Sequence, residues 1–119
     1  MKNKKFLLTD TEVAWFIVNG YHIIEPDLPE GLNERIAGQL DELDFNPGNA
    51  ITESIPELLE VLKHSAVDAG LVSLLGQNYE LQSHRHWHCK LPGSDHMQWH
   101  QDSTNKRDAH INRFLGLYY

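Results

Sequence analysis

Gly76 divides this chain into two kinds of sequence, and that division limits the fold more than any other feature. Ahead of it, apolar residues recur at helical spacing. Behind it, Asn78 to Leu91 (NYELQSHRHWHCKL) has no such period. Thr9-Asp10-Thr11-Glu12 places a capping hydroxyl three residues before a glutamate, and the apolar run Val13 to Val18 ends at Gly20, so a first helix is expected there. Leu32, Ile36, Leu40 and Leu43 line one side of a second helix, which Asn46-Pro47-Gly48-Asn49 stops. Pro56 suits the first turn of a helix through Leu62, and a last helical run from Val67 to Leu75 stops at Gly76.

Strands are expected wherever the helical period fails. Tyr21 to Glu25 is β-prone and closes on Pro26, and residues 78–91 read as one long strand. Because successive strand residues face opposite ways, Gln82, His84, His86 and His88 share one side, and Ser83, Arg85, Trp87 and Cys89 share the other. Pro92-Gly93-Ser94-Asp95 turns the chain. Further strands are expected over 98–103 and 113–119, and Leu117-Tyr118-Tyr119 ends on β-prone residues with no turn after them. The class implied is α+β, a single incomplete domain over 1–119: residues 1–76 mainly helical, residues 77–119 the first strands of a sheet.

Composition narrows the partners. With 40% hydrophobic residues the chain can build one core. Acidic residues outnumber basic ones by 17 to 10, and the basic ones are scattered, so no cationic stripe is available for nucleic acid. The apolar run after Met1-Lys2-Asn3-Lys4-Lys5 is only three residues long, against the roughly 7–15 of a signal-peptide core. No stretch approaches the roughly 18 apolar residues of a membrane span. The lone Cys89 fits a reducing compartment, and the expected location is the cytoplasm.

Histidine is the unusual residue. There are eight, and five of them (His84, His86, His88, His96, His100) fall within seventeen positions, which points to a metal or acid–base site. In an extended segment His100 and Asp102 lie on one side and can offer an imidazole nitrogen and a carboxylate oxygen to one ion. Two histidines and one carboxylate leave three positions open on a six-coordinate ion, which suits non-haem Fe(II) chemistry with a co-substrate and O2. In a chain with eight His and eight Asp, such a pair arises by chance roughly half the time, so its surroundings must carry the argument. A histidine-rich metal-binding or cupin-like module without oxygen chemistry uses the same residues.

The surroundings are specific as an ordered set. Gly20-Tyr21-His22-Ile23-Ile24-Glu25, Leu74-Leu75-Gly76-Gln77-Asn78-Tyr79, His84-Arg85-His86-Trp87-His88, Pro92-Gly93-Ser94, Trp99-His100-Gln101-Asp102-Ser103 and Leu117-Tyr118-Tyr119 together resemble the phytanoyl-CoA dioxygenase family over nearly the whole chain. The resemblance implies a double-stranded β-helix (jelly roll) with helices packed outside, and an Fe(II)- and 2-oxoglutarate-dependent hydroxylase acting with O2 on a small-molecule substrate. It implies that His100 and Asp102 are iron ligands and catalytic residues, and that the inner side of the long strand, His84, His86 and His88, contacts 2-oxoglutarate. It also implies that the second iron histidine and the arginine for 2-oxoglutarate lie beyond Tyr119, so that these 119 residues are expected to be inactive alone. The carboxylate of Asp102 favours hydroxylation over halogenation. By its place beside His100, Trp99 is expected to pack against the side of the segment away from the ion.

Overall fold

A computed structural model of the chain describes residues 7–96, 98–99 and 115–118. The chain divides into two compact units, Met1–Trp87 and His88–Tyr119.

Among the described residues the first unit holds five α-helices: α1 (Asp10–Asn19), α2 (Leu32–Asp41), α3 (Ile51–Ser54), α4 (Leu58–Leu62) and α5 (Ser65–Leu75). The capping box expected before α1 forms in full. The Thr9 hydroxyl accepts from the Glu12 amide at 3.3 Å, and the Glu12 carboxylate accepts from the Thr9 amide at 2.7 Å. The bond from the Thr9 amide first, and then one that the Thr9 hydroxyl donates to the same carboxylate at 2.8 Å, hold the Glu12 carboxyl below its ordinary range. Gly20 closes the helix in the left-handed region, at φ 81°, where a side chain is disfavoured.

The core lies between α2 and the short helices that follow. Leu32, Ile36, Ile51, Ile55 and Val61 are buried together, with Leu28, Leu40, Leu43, Leu58 and Trp87 packed around them. The apolar spacing of α2 therefore faces inward as the periodicity predicts. Helix α2 ends at Asp41 with Glu42 as its cap, before the expected stop at Asn46 to Asn49, and that turn sequence leads instead through a single 3₁₀ turn (Gly48–Ala50) into α3, a helix the pattern did not predict. Outside, Arg35 Nε donates to Glu57 Oε1 at 2.8 Å, and Gln39 donates to the other carboxylate oxygen, which ties α2 to the entry of α4. Helix α5 begins two residues earlier than its apolar run suggests because His64 caps it, Nδ1 accepting from the Ala66 amide at 3.2 Å.

No strand occurs among the described residues, so the expected α+β class with jelly-roll strands is corrected: the described part of the chain is helices joined by irregular segments. A strand persists only when another segment offers a ladder of backbone partners. Residues 21–25 find none; the Ile24 side chain instead lies on α5 where Gly70 leaves room, since a Cβ there would sit 2.6 Å from Ile24 Cδ1. Residues 78–91 find none either, and backbone groups at Arg85 and Trp87 are met by side chains. Residues 98–99 and 115–118 are likewise not in strands, and the rest of those two expected strands lies outside the described residues.

In the second unit the predicted turn is present. The Ser94 amide donates to the Leu91 carbonyl at 3.1 Å with Gly93 at φ 82°, and Lys90 Nζ reaches the Asp95 carbonyl at 3.1 Å. No helix among the described residues is long and apolar enough to cross a membrane.

Candidate functional site

The histidine-bearing segment leaves α5 through Gly76, whose amide closes the helix on the Val72 carbonyl at 2.9 Å. Three residues of the segment, with Asp68 and two asparagines as their partners, decide how it lies. Tyr79 returns to α5, its hydroxyl donating to Asp68 Oδ1 at 2.7 Å. Partial burial, and then this carboxylate, push the Tyr79 hydroxyl up to about 12. Further along, the Arg85 amide donates to Asn49 Oδ1 at 3.1 Å and Asn46 Nδ2 donates to the Trp87 carbonyl at 2.7 Å. Both asparagines belong to the turn between α2 and α3. Asn46 Oδ1 also accepts from the Gly48 amide at 2.9 Å, so the turn is held closed by the same residue that holds the arm.

Over residues 84–88 exposure alternates even without a ladder, while Leu81, Ser83 and Cys89, expected on the side of Arg85 and Trp87, are exposed. Arg85 and Trp87 are half-buried, while His84, His86 and His88 are exposed. Trp87 packs on the core cluster. Arg85 lies over α3, where Nη1 donates to the Thr52 hydroxyl at 2.9 Å and Nη2 approaches Glu53 Oε1 at 3.9 Å. Its Nε is buried with no hydrogen-bond partner among the described residues. The polar row is thus turned away from the helical body by its apolar and cationic neighbours, a consequence of the two-residue period.

Of the predicted site residues, His84 and His86 come together, with ring centroids 4.8 Å apart and planes inclined at 66°. His88 opens the second unit and is exposed, as are Cys89 and His96. His100 and Asp102, the expected iron ligands, lie outside the described residues. Trp99, expected to pack, is fully exposed. Among the described residues no three His, Cys, Asp or Glu side chains are placed to hold one ion, so these residues alone do not make up an iron centre. What they do provide is an anchored arm with two adjacent imidazoles on its open side.

Sequence reasoning missed the anchors. Asn46 and Asn49 were visible only as helix-stopping residues, although asparagine amides in a turn carry donors and acceptors beyond what the turn itself uses. Arg85 and Thr52 had no local signal, since each acquires its role through a contact 33 positions away in sequence. No family model matches the chain, and no curated protein or solved structure matches it either.

Proposed function

We propose that the chain is part of an Fe(II)- and 2-oxoglutarate-dependent oxygenase, with His100 and Asp102 as two of the iron ligands. The support is the ordered series of motifs that closes on Trp99-His100-Gln101-Asp102-Ser103, together with the chemistry of that donor pair: one imidazole and one carboxylate are two-thirds of a facial triad. One observation carries the reading beyond the motif. The arm before it is fixed from one side by Arg85 and Trp87, so its imidazoles stand on the open side, where a co-substrate can meet them. Of the three, His88 is the preferred co-substrate contact because it stands nearest in sequence to the His100-x-Asp102 motif. Iron and 2-oxoglutarate, once bound, would supply the oxidising chemistry with O2 as the oxidant; the role proposed for His100 and Asp102 is to hold the ion, and that for His88 is to orient the co-substrate's carboxylate.

The test begins without oxygen. Fe(II) and then 2-oxoglutarate are added to the complete oxygenase of which the chain is proposed to be part, and the visible charge-transfer absorption of a chelated 2-oxo acid is followed. The band is expected with the native sequence and absent from Asp102→Ala and His100→Ala. A band that survives Asp102→Ala, or tight binding of Zn2+ with no 2-oxoglutarate-dependent band, removes the oxygenase reading and leaves a redox-inert metal-binding module.

A further inference from the structure

We propose that His84 and His86 form a two-imidazole chelate for a late first-row divalent ion, with Cu2+ held most tightly, independent of the ion proposed at His100 and Asp102. The warrant is geometric. An imidazole nitrogen binds such an ion at about 2.0–2.1 Å, and the ring centre lies about 1.2 Å further back, so each centroid stands about 3.2 Å from the ion. Two rings on one ion then have centroids about 4.5 Å apart at a right angle between bonds and about 5.2 Å apart at the tetrahedral angle. The observed separation of 4.8 Å falls between these values, and the 66° inclination keeps the rings from stacking face to face.

Three further features favour an ion here. Both side chains are exposed, so an ion can reach them from solvent. The residue between them, Arg85, is fastened through its amide to Asn49 and through its guanidinium to Thr52, so the backbone that sets their spacing is held in place before any ion arrives. That preorganisation lowers the ordering cost of binding. Two imidazoles with the remaining positions filled by water match the tetragonal preference of Cu2+, which also heads the affinity order for nitrogen ligands ahead of Ni2+ and Zn2+. Because the chelate draws on residues of the first unit only, it stands whether or not the oxygenase reading holds.

The experiment is a CuCl2 titration of the chain carrying His100→Ala and Asp102→Ala, which removes that pair as an alternative ligand set, read by calorimetry and by electron paramagnetic resonance. One Cu2+ is expected to bind with hyperfine splitting from two equatorial nitrogens. Since joining two binding groups strengthens binding by 10²–10⁴ over either alone, adding His84→Ala or His86→Ala is expected to weaken it at least about 100-fold and leave the splitting of a single ring. His96→Ala serves as the control and is expected to leave both readings unchanged. Circular dichroism verifies that the helices persist in each variant. Native affinity in either single variant overturns the chelate, because it requires both rings.

Discussion

The helical core and the histidine arm are held by different kinds of force. Leu32, Ile36 and Ile55 are essentially sealed from solvent, so their contribution scales with apolar surface removed from water and is insensitive to direction. The arm around His84 to Trp87 buries only the Trp87 ring and the Arg85 stem, and takes its position from a few directed hydrogen bonds to Asn46, Asn49 and Thr52. A core of the first kind is sensitive to lost apolar volume and to polar groups placed in it. An arm of the second kind can display a polar row at a fixed spacing, which is what a ligand-binding segment needs.

The sharpest way to break the comparison is to remove apolar volume. Ile36→Ala takes a nearly sealed side chain out of the α2 contact and is expected to destabilise the chain by about 2–5 kcal/mol. Val18→Ala, on the exposed side of α1, is expected to change stability by no more than about 0.5 kcal/mol. Urea denaturation followed by helical circular dichroism distinguishes them, and equal midpoints for the two variants would show that the cluster is not the core.

The arm is expected to respond in a different observable. Asn46→Ala with Asn49→Ala removes both side-chain partners of the arm backbone, and about 1–3 kcal/mol is expected in total at net values near 1 kcal/mol per bond. The more telling effect is local: amide exchange at residues 84–87 and tryptic cleavage after Arg85 are expected to accelerate while the α2 amides stay protected. If the whole molecule loosens together, arm and core are one cooperative structure and the contrast fails.

How much of this was legible in sequence follows the same line. Periodic burial is a local signal, so α1, α2, α4 and α5 could be placed from Thr9, Gly20, the Leu32-Ile36 spacing, Pro56 and Gly76. Strand formation depends on a partner elsewhere, and β-prone composition at 21–25 and 78–91 could not say whether one would be present; among the described residues it is not. The two-residue alternation survived that error, because it describes which side chains share a side, ladder or no ladder. The half-buried Arg85 and Trp87 against the exposed His84 and His86 were therefore readable as a pattern, although which row would face the helices was not. His100 and Asp102 remain a matter of motif, since they lie outside the described residues.

The smallest expected effect concerns the start of α1, where a directed bond of the arm's kind sits on an exposed helix. Thr9→Ala removes the hydroxyl that accepts from the Glu12 amide and is expected to cost about 1 kcal/mol. The partner acts through charge. The Glu12 carboxyl is lowered in the folded chain by its bonds to Thr9, so its contribution is present above its ordinary value of 4.5 and fades as the pH falls through the lowered folded value. Glu12→Gln is therefore expected to flatten the acid side of the stability curve below that pH, and to leave the slope between pH 6 and 8 as it was. Because this bond lies on α1 and away from the buried cluster, the same titration performed in an Ile36→Ala background is expected to give an unchanged acid-side shift. A shift that changes with the core variant would join the capping box to the core and erase the difference between directed and apolar regions from which the comparison began.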